Sequence, residues 1–309
     1  MDPSFFSHIA LSNHQATIRR RGHQVIKSWF DGRSHSWLHF WSNFRSMNRL
    51  YALILLLPLI SFIAGTKIPD AIVNTDADKM TSDNLGNVYL IKDESIFKYD
   101  SLGVLQKTFS NKTFGAITSA NATNALRIIL FYKDFNRVVT LDNTLSQNGE
   151  ALTLETIGFP MTSLVAASHD NGLWIYDMRN FELLRLNRSL EVEHRSGNLS
   201  QVLGIDLQPN FIIEKDNRLF LNNPATGILV FDVFGTYSKT LPVLQLKSFQ
   251  VVDNTVIYYK DGMLQADAII INEHINYTSP VGDSTTKDMR MERNAIFVLG
   301  EKRLDIYKK

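Results

Sequence analysis

Gly86 to Phe109 reads GNVYLIKDESIFKYDSLGVLQKTF. An apolar run, Val88 to Ile91, is broken by the polar triplet Lys92-Asp93-Glu94; Ile96 to Tyr99 then alternates apolar and polar residues and stops at Asp100. Leu102-Gly103 turns the chain into a third, more polar stretch. Short runs rich in Val, Ile, Tyr and Phe between Asp, Asn and Gly are strands joined by tight turns, and no 3.6-residue period competes with that reading. A hairpin of this size is at best marginally stable alone, so it needs partners of its own kind.

Those partners follow in the chain. Polar turns open successive units at Asp83–Asn87, Asn121–Asn124, Asp170–Gly172, Lys215–Asn217, Asp253–Asn254 and Arg293–Asn294. Each leads into an apolar strand centred on Tyr89, Phe131, Trp174, Phe220, Ile257 or Phe297. The next strand closes on a polar residue, at Asp100, Asp142, Asn187, Asp232 and Asp267. Both markers return about every forty residues, the length of a four-stranded propeller blade. Counting strands gives five full units from Asp78 to Asn276, then three strands at Lys287–Glu292, Ala295–Gly300 and Arg303–Lys309. Asp70–Thr75, ahead of the first unit, supplies a fourth strand. The expected fold is therefore all-β, a six-bladed β-propeller over residues 66–309 closed by an N-terminal strand, a closure that leaves no open sheet edge. A seven-bladed ring with one degenerate blade and a two-sheet sandwich are the competing architectures.

Residues 1–46 differ in texture. They hold Arg19, Arg20, Arg21, Lys27, Arg33 and Arg45 against Asp2 and Asp31, with Trp29, Trp37 and Trp41 interspersed. Next comes MNRLYALILLLPLISFIAGT from Met47, with Arg49 before an uncharged run from Leu50 to Ala64. A short positive start, a brief apolar stretch and small residues after it make the layout of a signal peptide, whereas a full span needs about 20 apolar residues. Two readings follow: translation from Met47 with residues 47–65 as a signal peptide, or translation from Met1 with a basic extension and a signal anchor. Pro58 argues against a buried core helix. Either way residues 68–309 are expected to be exported, to the periplasm or outer envelope, with membrane contact only through residues 50–64 if they are retained.

The unit GNVYLIKDESIFKYDSLGVLQKTF resembles exported propellers of the NHL and quinoprotein-like kind, in which a second strand opening with Gly-Asn and a third ending in Asp are common. The resemblance covers Ile68 to Lys309 and implies a fold rather than an activity, because such rings include scaffolds, ligand binders, lactonases and lyases.

Chemistry is sparse. The chain has no cysteine, which excludes disulfides, thiol nucleophiles and cysteine-ligated metals. A net charge of +1 with no basic stripe argues against nucleic acid. Neither the HxH nor the HExxH spacing occurs, no nucleophile elbow or phosphate loop is present, and no cofactor is implied. His169-Asp170 reads as a solvated or turn-capping pair. The carboxylates Asp83, Asp170, Glu214 and Asp253 would have to converge to hold a channel metal, and their turn positions already explain them. Two loops carry an aromatic residue beside a cation, Lys133–Arg137 and Met178–Glu182. On that basis Phe135, Arg137, Arg179 and Phe181 are the candidate binding residues of a rim patch. The alternative is that each Phe folds back over its own hairpin. The reading is a non-enzymatic, monomeric ring that binds an envelope protein or glycan; a channel-metal hydrolase or lyase of the lactonase sort is the alternative.

Overall fold

In the computed structural model the described residues are 68–270, 274–277 and 285–308, so the expectations for residues 1–46 and 47–65 lie outside them. The described residues form six four-stranded antiparallel sheets. The first blade is Lys79–Ser82, Val88–Lys92, Ser95–Tyr99 and Leu105–Ser110. The second is Ser119–Asn124, Arg127–Tyr132, Arg137–Leu141 and Leu152–Thr153. The third is Thr162–Ala167, Leu173–Asp177, Glu182–Leu186 and Val192–Arg195. The fourth is Phe211–Lys215, Arg218–Asn223, Gly227–Asp232 and Tyr237–Leu241. The fifth is Gln250–Val252, Thr255–Lys260, Met263–Ala268 and His274–Tyr277. The sixth holds Asp288–Met291, Ala295–Leu299 and Arg303–Lys308, and beside the last of these runs Ala71–Asn74, with Val73 opposite Leu304.

First strands of consecutive blades lie against one another, first on second, second on third, third on fourth and sixth on first. The protein is a six-bladed β-propeller, not a seven-bladed ring or a sandwich. The second strands show why. Tyr89, Phe131, Trp174, Phe220 and Phe297 pack toward the following blade, while Leu90, Leu130, Ile175, Leu219 and Tyr258 pack toward the preceding one. Alternate residues of a strand point to opposite faces, so a sheet covered on both sides must be apolar at every step. This is the origin of runs such as RIILFY, in which every residue after Arg127 is buried.

The polar punctuation has its own cause. Asp100, Asp142 and Asp232 each receive two backbone N–H groups on one carboxylate oxygen, from Leu102 and Val104, Thr144 and Ser146, and Phe234 and Thr236. The turn places Gly103, Leu145, Leu190 or Gly235 at positive φ, between 58 and 82°. Three of these hairpins also carry a register shift beside the turn. Asp83 makes the same turn between the first two strands of its blade, through Leu85 N and Asn87 N. Two of the sequence markers are displaced: Asn121–Asn124 lies within a strand, with the turn at Ala125-Leu126, and Asp267 falls inside its strand rather than at the end. In both, a strand residue of turn-forming type was read as the turn itself.

Ile306 is fully buried between the sixth blade and the first. Ile306→Ala is expected to cost about 2–5 kcal/mol in urea unfolding. Asp232→Ala, on the surface, removes one turn and is expected to cost about 1 kcal/mol.

Candidate binding face

Each blade is entered by its first strand, so the links from second to third strand and from one blade to the next emerge at the same end of the ring. The expected patch residues lie there, but not at equivalent positions. The two loops have equal length, since Tyr132 pairs with Arg137 and Asp177 with Glu182. Phe135 is therefore third in its loop and Phe181 fourth, where it takes the left-handed conformation (φ 53) that Asn136 takes in the preceding blade. Arg179 is second in its loop, while Arg137 already belongs to the following strand. The likeness of the two loops in sequence is therefore an alignment slipped by one residue: their aromatic residues stand one position apart in the register of the two blades.

The four side chains also have different surroundings. Arg137 lies over the Phe114 ring, 4.9 Å from its centroid, and Phe114 in turn meets Tyr132 edge-on at 5.6 Å. Phe135 leans on Gly115, where a Cβ would come 3.1 Å from its ring, yet it stays 53% exposed. Arg179 is exposed, with its backbone N–H held by Asp177.

Backbone and side-chain hydrogen bonds tie each of these loops to the segments that link its blade to its neighbours. Asn136 O receives Leu154 N, Asn136 Nδ2 donates to Phe159 O, Met178 N donates to Met161 O, and Leu199 N donates to Phe181 O. Leu199 begins a short helix, α1 (Leu199–Leu203), capped by Asn198. Along this rim Phe135, Met161, Met178, Phe181 and Val202 are all exposed, Met161 at 51% and Val202 at 68%. Met161 and Val202 went unnoticed in the sequence because nothing local marks an apolar residue in a loop as unburied. Methionine adapts its shape to what it touches, and a concentration of such groups on one face is characteristic of interaction surfaces.

The opposite end of the ring exposes apolar side chains of its own, among them Leu85, Leu126 and Phe234, and holds two partly buried polar clusters. Glu214, on the first strand of the fourth blade, accepts from Trp174 Nε1 at 2.5 Å, Ser168 Oγ at 2.9 Å and the His169 backbone N–H at 3.0 Å, and its Oε1 lies 2.6 Å from His169 Nδ1. Arg185 reaches Ser168 Oγ, Asp170 Oδ2 and Val233 O. Burial works against the Asp170 carboxylate, but the Gly172 N–H, the Ser168 hydroxyl and Arg185 outweigh it and hold its pKa below the usual range. His169-Asp170 is thus more than a turn cap: it staples the third blade to the fourth. A second cluster joins three blades, with Ser82 Oγ 2.6 Å and Gln250 Nε2 3.0 Å from Glu292 Oε1. Burial pushes the Glu292 carboxyl up, and the charge of Asp83 adds to the effect.

Of the carboxylates considered for a channel metal, Asp83 holds its turn and Tyr89 Oη, Asp170 and Glu214 are engaged as described, and Asp253 sits in a left-handed turn position (φ 46). Among the described residues no three His, Asp or Glu side chains converge as metal ligands.

No family model matches the chain, and no curated protein matches it in sequence. Solved structures do match in shape. A virginiamycin B lyase from Staphylococcus aureus is 14% identical with a TM-score of 0.50, covering 74% of this chain and 80% of its own. A chain of the mitotic checkpoint complex is 6% identical with a TM-score of 0.57, covering 79% and 95%. The WD40 domain of Neurospora crassa Pan2 is 9% identical with a TM-score of 0.50, covering 75% and 81%. At such identities the likeness is one of fold, and propellers of unrelated function share it.

The Glu292 cluster gives a pH prediction. A carboxyl whose folded pKa is raised adds stability below its ordinary value of 4.5, and that contribution is lost as pH rises through the raised value. Glu292→Gln keeps an acceptor for Ser82 and Gln250 and removes the charge. Urea midpoints from about pH 4 to about pH 8 should therefore diverge increasingly in the variant's favour; parallel curves would contradict the raised pKa.

Proposed function

We propose that this chain is a non-enzymatic binding module of the bacterial cell envelope that holds a protein partner on the rim formed by its second and third blades. The observation that carries this reading is the rim of hydrogen-bonded loops on which Phe135, Met161, Met178, Phe181 and Val202 stay exposed while the cores between blades are sealed. A protein partner suits it better than a glycan. The exposed groups are aliphatic, thioether and aromatic, with few hydrogen-bonding side chains to read hydroxyls, and Arg179 beside them supplies the cation common at energetic hot spots.

The polar residues of the other end are spent on joining blades, which fits a scaffold better than a reaction centre. One of the solved structures it resembles is a chain of the mitotic checkpoint complex, in keeping with propellers serving as assembly platforms. Export is supported by the uncharged run from Leu50 to Ala64 behind Arg49. The pairing of Ala71–Asn74 with the last strand supports a ring latched by its own two ends, an arrangement able to persist outside the cell without disulfides.

A photo-crosslinker placed at Met178 in the native host should trap a protein in the envelope fraction. The triple variant Phe135→Ala, Met161→Ser and Phe181→Asn should lose that adduct while keeping its melting temperature, since asparagine tolerates the backbone at position 181. An undiminished adduct from the folded variant would overturn the rim, and recovery of the native protein from the cytosol would overturn the location.

A further inference from the structure

Between the fourth and fifth blades lies a cavity of about 440 Å³, lined by Leu241, Pro242, Val243 and Leu244 on one side and by Tyr258, Lys260, Asp267 and His274 on the other. The walls differ in chemistry because they come from different kinds of segment. Residues 241–244 are the end of a strand and the link to the next blade, with Val243 N folded back onto Leu241 O. The second wall is one face of the fifth sheet. Tyr258 and Lys260 are two apart on one strand, and Asp267 lies directly opposite His274 on the next pair.

Asp267 is already engaged on both oxygens. Tyr258 Oη donates to Oδ2 at 2.5 Å, and His274 Nδ1 lies 2.9 Å from Oδ1. Burial, the hydrogen bond to Asp267 and its charge all push the Tyr258 hydroxyl upward, so it remains protonated and fixed as that donor. Lys260 is in the opposite position. Its Nζ gives one of its three protons to Leu244 O at 3.1 Å, and among the described residues it has no carboxylate partner. An ammonium without a counter-ion therefore stands beside an apolar wall, and the one carboxylate of the cavity is occupied elsewhere. We infer that this cavity binds a small organic anion, a carboxylate whose apolar body lies on the exposed Pro242 and Leu244 while its head group meets Lys260. The volume falls within the range of small-molecule sites, about 300–1,000 Å³, and the lining is shared about equally between polar and apolar surface.

The test titrates the 309-residue chain with hexanoate, and with hexan-1-ol as its uncharged counterpart, by calorimetry or methyl-resolved NMR. Hexanoate should bind saturably and at least tenfold more tightly than hexan-1-ol. Lys260→Met, at a half-buried strand end where folding is not at risk, should abolish that preference. Leu244→Asp, which sets a fixed carboxylate beside Lys260, should abolish hexanoate binding, while Phe181→Asn on the third blade should leave it unchanged. Absence of saturable hexanoate binding, equal affinity for the alcohol, or an unaltered preference in Lys260→Met would each overturn the site. None of these outcomes bears on the rim, whose test reads a protein adduct.

Discussion

Every blade of this protein is apolar on both faces, and that constraint governs the rest of the structure. A sheet with Tyr89 and Leu90 facing opposite ways, both fully buried, has no stable existence alone. It must be covered twice, and identical demands on successive sheets are met together only when they stand around a common axis. A full-size aromatic or aliphatic side chain removed from water contributes about 1.5–3 kcal/mol. The clusters between blades each contain ten or more buried apolar residues, most of them full-size, drawn from two neighbours. The cost of ordering the chain offsets most of this gain, so each blade's stability belongs to the interfaces it shares.

The polar residues are distributed to serve this plan. Asp100, Asp142 and Asp232 tie the same turn in three blades, and Asp83 ties a similar turn elsewhere in its own. Glu214 and Arg185 carry hydrogen bonds across the seam between the third and fourth blades. Arg290 does so between the fifth and sixth, donating to Phe249 O and Ser248 Oγ. A buried charge is tolerated when it is paired and hydrogen-bonded, as Arg290 is with Asp288 although its Nε makes no hydrogen bond, and such networks fix the register of one blade on the next. Lys260 departs from that pattern, as do the exposed apolar side chains of the rim. The proposed interactions with other molecules rest on these departures.

The two ends of the ring are built from different connections. At one, short turns and staples close the strands of each blade; at the other, the links between blades vary in length and sequence, and among the described residues the α-helix α1 lies there. A scaffold repeated around an axis gives each loop a fixed place at little energetic expense, and loops so placed carry most of what distinguishes one propeller from another.

The sequence by itself determined the repeat, the number of blades and the positions of nearly all strands. These follow from local rules, because alternation, turn chemistry and a period near forty residues are each legible within a single unit. It placed residues 133–137 and 178–182 on loops, correctly for all but Arg137 and Glu182, which open the following strands, and it exposed the asymmetry of the first 46 residues. Only the tertiary structure decided which residues meet. Glu214 and His169 lie 45 positions apart, and Ser82 and Glu292 lie 210 apart, separations at which no pattern marks a pair. The register of two loops, slipped by one residue, likewise emerged from pairing: Phe135 and Phe181 look alike in a string of letters but occupy different backbone conformations. Exposure was equally invisible, since Met161 on the rim and a methionine in the core such as Met80 are the same residue until their neighbours are in place.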